Sequence, residues 1–146
     1  MKILDLGAGY APVPNAFRVD VNKNYDPDLV FDLNDAWGKL RSNLPAEWDE
    51  IYCKNVINYL DSLENVENLF SEVSFLLKPN GVFHLEFMNI ANKEGLRLHY
   101  LTVRRLLIKT GFNCRLETKR HWIVPTGNVK VTAWKVGLAL QLLEVM

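Results

Sequence analysis

The stretch that most limits what this chain can fold into is residues 1–22, MKILDLGAGYAPVPNAFRVDVN. Ile3, Leu4 and Leu6 form a short apolar run that ends in the glycine turn Gly7-Ala8-Gly9, and a second run, Phe17 to Val21, carries Asp20 near its end. A buried strand, a glycine turn and an acid closing the next strand is how open α/β sheets hold a nucleoside. The glycines let the backbone approach the ligand, and the carboxylate takes the ribose hydroxyls. Pro12 and Pro14 leave no room for a helix between the two runs. Gly7 to Asn15 must cross back over a strand of roughly 17 Å, while nine residues reach only about 30 Å, so the crossover is an extended strap.

The later segments extend the same pattern. Leu29-Val30-Phe31 reads as a short buried strand ending at Asp32. Asn34 to Leu44 is expected to be a helix capped by Asp35, with Trp37, Leu40 and Leu44 on one face, closed by Pro45. Trp48 to Cys53 is a fourth strand, leaving through Lys54-Asn55-Val56 towards Tyr59. The clearest helix runs from Ser62 to Leu77, where Leu63, Val66, Leu69, Phe70, Val73, Leu76 and Leu77 make one apolar stripe. Asp61 and Glu64 resemble a capping box, and Lys78-Pro79-Asn80-Gly81 supplies the stop. Val82 to Phe87 is a fifth strand, a helix runs from Thr102 to Gly111, and Phe112 to Lys119 is a sixth strand. In the tail, Val129 to Gln141 is expected to be a helix burying Val131, Trp134 and Leu138, with a last strand at Leu142 to Met146; a long hairpin arm is the other reading. Strands alternating with helices imply a mostly parallel sheet with helices on both faces.

With 146 residues the chain is expected to be one domain, residues 1–146. No apolar run is long enough to cross a membrane, and Met1 leads straight into a strand, so a cytoplasmic location without a signal peptide is expected. Cys53 and Cys114 are expected to be buried free thiols, and with three scattered histidines they form no metal cluster, so no metal is expected. Charge is unevenly placed. Residues 1–73 hold 6 basic and 13 acidic side chains, and residues 74–146 hold 11 and 4. Either the C-terminal half presents an electropositive surface or the fold mixes the halves.

Taken in order, these segments resemble a class I S-adenosylmethionine-dependent methyltransferase, in particular the small type-11 and type-23 group. Leu4-Asp5-Leu6-Gly7-Ala8-Gly9 is similar to the family's first motif, with Ala11 where a third glycine often sits. Phe31-Asp32-Leu33 resembles the third-strand motif, Trp48-Asp49-Glu50-Ile51-Tyr52 the fourth-strand motif, and Leu76-Leu77-Lys78-Pro79-Asn80-Gly81-Val82 the leader into strand five. The region Leu98 to Phe112 resembles the family's segment after strand five. The resemblance implies an α/β, Rossmann-like seven-stranded methyltransferase sheet, mostly parallel with an antiparallel last strand. It lacks the N-terminal helix and the helix after strand 1.

The resemblance also implies S-adenosyl-L-methionine as cofactor and assigns expected contacts. Gly7, Ala8, Gly9 and Tyr10 would form the loop against it, with Asp5 near its amino group. Asp20 and Val21 would hold the ribose, Asp32 and Leu33 the adenine, and Lys54, Asn55, Val56 and Tyr59 would line the remaining wall. His99 is the candidate general base, whereas His84 reads as a core histidine in mid-strand. The fourth-strand exit lacks the signature of enzymes that methylate amines of DNA bases, so DNA is not an expected substrate. The expected acceptor is a small or medium molecule, such as an anionic glycan or lipid precursor, held by Arg97, Arg104 and Arg105. Two other readings stand beside it: a non-catalytic methyltransferase-fold subunit that binds a protein partner or a second copy, and an RNA methyltransferase.

Overall fold

The computed structural model describes residues 1–89, 95–118 and 128–136. Seven strands form one sheet: β1 (Ile3–Leu6), β2 (Phe17–Asp20), β3 (Leu29–Val30), β4 (Trp48–Lys54), β5 (Leu77–Met88), β6 (Phe112–Leu116) and β7 (Asn128–Lys135). Their order is β3-β2-β1-β4-β5-β7-β6. The first five strands pair in parallel, and β7 runs antiparallel between β5 and β6. Three helices, α1 (Leu40–Asn43), α2 (Leu63–Leu76) and α3 (Tyr100–Lys109), connect β3 to β4, β4 to β5 and β5 to β6. All three connections move in the same direction along the sheet. Right-handed crossovers therefore put all three helices on one face.

Along the inner strands only one face is apolar. Leu4, Leu6, Ile51, Cys53, Phe83, Leu85, Phe87, Val129, Val131 and Ala133 are buried against Val66, Leu69, Phe70 and Val73 of α2 and Val103 and Leu107 of α3. Residues at the intervening positions face the other way. Asp5, Tyr52, His84, Thr132 and Arg115 lie in one row across β1, β4, β5, β7 and β6, and Lys54, Glu86 and Lys130 in the next. Among the described residues no α-helix covers this second face. Among the described residues the expected helices on both faces are thus corrected to helices on one, because the strap and a short turn at Lys23–Tyr25 replace connections that would have covered the other.

Other expectations shift for local reasons. The segment expected to be a helix from Asn34 to Leu44 is a turn, Leu33–Asp35, and the four-residue α1. Gly38 at φ +70° separates them, and Trp37 is 62% exposed while Leu40 and Leu44 are buried. The cap of α2 is Ser62, whose hydroxyl accepts from the Asn65 amide, and the Asp61 amide donates to Asn34 instead. Strand β5 begins at Leu77, and residues 78–81 bulge out between the Trp48–Leu77 and Glu50–Val82 pairs. The expected helix from Val129 is strand β7 in its described part. Val129, Val131 and Ala133 alternate with Lys130, Thr132 and Trp134, and this period of two decides the element. Residues 137–146, with the last strand expected there, lie outside the described residues, as do Lys119 and His121. The two charge halves meet where β4 and α2 adjoin the later elements, as in the Lys78–Asp49 and Lys109–Glu67 ion pairs. Cys53 is buried, whereas Cys114 is only half-buried.

Candidate functional site

Strand order reverses between β1 and β4, the place where open α/β sheets leave a crevice at their C-terminal edge. Gly7 opens the turn there at φ +74°. Its amide and that of Ala8 donate to the Val19 carbonyl at 2.7 and 3.2 Å. The Gly9 amide donates to Asp20 Oδ2 and the Asn22 amide to Asp20 Oδ1, each at 2.8 Å. Asp20 thus latches the glycine turn to the end of β2, and the three turn amides are used within the chain.

The strap from Gly7 to Asn15 crosses the uncovered face beside Asp5. Val13 N–H donates to Asp5 Oδ2 at 2.8 Å, and Lys54 Nζ approaches the Ala11 carbonyl at 3.4 Å. Asp5 is fully buried, and its Oδ1 has no hydrogen-bond partner among the described residues. Burial pushes this carboxyl above its ordinary value, opposed chiefly by the Val13 amide. A raised folded-state value means that the folded chain binds the proton more tightly. The stabilising contribution is full below the ordinary carboxylate range and is lost as pH rises through the folded value. Asp5→Asn is therefore expected to gain stability relative to the parent between pH 3 and pH 7, measured as urea midpoints across that range. The opposite slope would refute the burial account.

Two hollows meet at the turn. The first, about 370 Å³, is lined by Gly7, Asp20, Val21, Asp32, Leu33, Asn55, Val56 and Tyr59, together with Phe31, Asn34 and Leu60. The second, about 700 Å³, is lined by Ala8, Gly9, Tyr10, Ala11, Tyr25, Lys54 and Glu86 and shares Gly7, Asn55 and Tyr59 with the first. Both volumes suit small-molecule sites. Asp32 has a second duty as well: its Oδ1 accepts from the Asn34 amide and caps the Leu33–Asp35 turn. A larger hollow of about 730 Å³ lies at the opposite edge of the sheet. Its cations are already engaged, Arg41 by Glu72, Lys109 by Glu67 and Lys135 by the Leu77 carbonyl.

Every residue expected to contact the cofactor lines one of the two adjoining hollows except Asp5, which lies under the strap. The remaining candidates stand elsewhere. His99 Nδ1 accepts from the Leu101 amide and caps α3, so that nitrogen is occupied by a structural bond, and the ring lines neither hollow. Arg97, Arg104 and Arg105 are exposed before and along α3 and line neither hollow. His84 is not in the core. It lies on the uncovered face, stacked on Tyr52 with ring centroids 4.3 Å apart, and its Nε2 is 3.1 Å from Glu50 Oε1.

Sequence reasoning missed Glu86, Tyr25 and Asn58. Glu86 shares a strand face with His84, and the alternation of β5 could have shown it. Asn58 is buried and clamps the exits of β4 and β5: its amide nitrogen donates to the Met88 and Leu96 carbonyls, and its Oδ1 accepts from the Met88 amide. Gly95 is required beside it, since a Cβ there would lie 2.2 Å from the Asn58 carbonyl. Among the described residues no group of three His, Cys, Asp or Glu side chains is placed to hold a metal ion.

The fold is shared with solved methyltransferases. An S-adenosylmethionine-dependent methyltransferase from Clostridium acetobutylicum superposes with a TM-score of 0.75 at 13% identity, covering 93% of this chain and 84% of that one. Another from Archaeoglobus fulgidus gives 0.71 at 15% identity, covering 92% and 86%. Magnesium protoporphyrin IX methyltransferase from Synechocystis, solved with S-adenosylmethionine bound, gives 0.65 at 14% identity, covering 93% and 70%. Neither a family model nor a curated protein matches the chain in sequence. The chain has the Rossmann-like fold of class I S-adenosylmethionine-dependent methyltransferases.

Proposed function

We propose that the chain is an S-adenosylmethionine-dependent methyltransferase that acts on a small or medium acceptor. The observation that carries this reading is the first hollow. It sits at the reversal of strand order, with Gly7, Asp20 and Asp32 on its wall. The residues present suit the cofactor in one further respect. A Cβ on Gly7 would strike Val56 Cγ2 at 2.2 Å, which marks a backbone kept bare where the two hollows meet.

When bound, S-adenosylmethionine supplies a methyl group on a sulfonium as electrophile. On this reading Asp20 takes the ribose, Asp32 and the Leu33 backbone the adenine, and Asn55, Val56 and Tyr59 close the wall. Gly7 to Tyr10 run beside the methionine portion. The residues contribute mainly by orientation, which can supply up to about 7–11 kcal/mol of a methyl-transfer barrier. The second hollow then receives the acceptor. Its polar side chains include Lys54 and Glu86 and none of the three arginines, which supports a neutral acceptor over an anionic glycan or lipid precursor.

The test is calorimetric titration with S-adenosylmethionine and with S-adenosylhomocysteine. Both are expected to bind, and Asp20→Ala is expected to weaken binding about tenfold or more, since a ribose contact and the Gly9 latch are lost together. The internal use of the three turn amides favours a second reading, a non-catalytic subunit that binds a protein partner. Absence of heat with both nucleosides would select it.

A further inference from the structure

We propose that the second hollow takes an aromatic ring bearing a hydroxyl, with Lys54 and Glu86 as the pair that handles that hydroxyl. This inference rests on the methyltransferase reading and narrows its acceptor. Lys54 and Glu86, whose Oε1 also lies 4.0 Å from Lys130 Nζ of β7, are direct cross-strand partners at the ends of β4 and β5. They lie on the face that no α-helix covers among the described residues. Both line the second hollow, and both also line a further depression of about 390 Å³ over the uncovered face, so the acceptor side of the site is open along the sheet. Three of the chain's five tyrosines, Tyr10, Tyr25 and Tyr59, surround the same hollow. They are 89%, 41% and 56% exposed. Such rings offer faces against which a flat ligand stacks.

The chemistry of the pair selects the acceptor. No histidine is among the described residues lining the hollow, and His84 in the adjoining depression has its Nε2 3.1 Å from Glu50 Oε1, so the hollow itself supplies a lysine and a carboxylate. A carboxylate ligand would meet Glu86 as a like charge. An alkylammonium would meet Lys54 as a like charge. An aliphatic hydroxyl, similar to water, ionises only far above the phenolic range, out of reach of one lysine. A phenolic hydroxyl ionises near about 10, and a neighbouring cation lowers that value by about one to three. Lys54 stabilises the oxygen as it becomes anionic, and Glu86 accepts the outgoing proton and relays it to water. The oxygen lone pair forms the bond to the methyl carbon. The electron pair of the C–S bond stays on sulfur, leaving a neutral thioether and a methyl ether.

The experiment titrates 4-nitrophenol into the full chain with S-adenosylhomocysteine present and follows phenolate absorbance against pH. The ionisation constant of the bound probe is expected to rise about tenfold or more over that in free solution. Lys54→Met should remove the rise and Glu86→Gln should enlarge it. General loss of folding would move both variants the same way, so the opposite signs protect the test from the Lys54–Ala11 contact in the strap. In parallel, labelled methyl from S-adenosylmethionine should pass to phenol and not to cyclohexanol. The proposal is overturned if the probe does not bind, if it ionises as in free solution, or if cyclohexanol is methylated as readily as phenol. Failure of the parent reading looks different: neither nucleoside would give heat on titration.

Discussion

A Gly7→Ala chain is expected to lose about 2–5 kcal/mol of stability and most of its affinity for an adenosyl ligand. Two costs combine. At φ +74° a side chain costs roughly 1–2 kcal/mol over glycine. The new methyl would also lie 2.2 Å from Val56 Cγ2, and overpacking of this kind costs about 1–3 kcal/mol. Val56 is β-branched with few rotamers, so the clash moves the β4 exit that forms the wall of both hollows. Pairing Gly7→Ala with Val56→Ala should recover the packing share and leave the backbone share. Urea denaturation of the single and double variants separates the two. A Gly7→Ala chain that binds S-adenosylhomocysteine as the parent does would refute the placement of the nucleoside.

The second large effect lies away from the site. Glu72 of α2 is fully buried and is held by Arg41, whose Nε donates to Oε2 at 2.7 Å and whose backbone amide donates to Oε1 at 3.1 Å. The guanidinium also sits 4.2 Å from the Phe75 ring centroid. Arg41→Met leaves a buried carboxylate without its cation, and losses of this kind run to about 3–5 kcal/mol. The Arg41 side chain is about one-third exposed, which screens the pair and places the expected loss near the lower figure, about 3 kcal/mol. Adding Glu72→Leu should restore most of it, because an apolar side chain fills the site without a charge to compensate. Thermal or urea midpoints of the three chains decide the matter.

Much of the candidate site was readable because its residues are dictated by local chain order. Gly7, Asp20 and Asp32 each end or follow a short strand, and their chemistry depends on those few neighbours. Glu86 and Asn58 were not readable in the same way. Their roles come from cross-strand partners some thirty residues distant, Lys54 for one and Met88 for the other. The tail was misread because Val131, Trp134 and Leu138 satisfy a helical spacing while Val129, Val131 and Ala133 satisfy a strand. Burial of the second set and exposure of Trp134 resolve the choice. His99 stands apart from both hollows, and a histidine just before a helix also serves as its cap, as the bond from the Leu101 amide shows. The polar face that no helix covers among the described residues was written in β4 and β5 all along. Tyr52, Lys54, His84 and Glu86 recur at every second position, a pattern that strands wrapped on both sides do not show.

That bare side of the sheet also governs how the chain can vary. Alternate strand positions need not be oily, so their side chains are free to change among polar types with little loss of stability. They are not free to become greasy. Leucine or phenylalanine at Tyr52, His84 and Thr132 together would convert a wetted plane into a sticky one, and two molecules could then press plane to plane at the roughly 10 Å spacing of stacked sheets. Keeping that plane wetted thus depends on the same row of side chains that runs beside the second hollow.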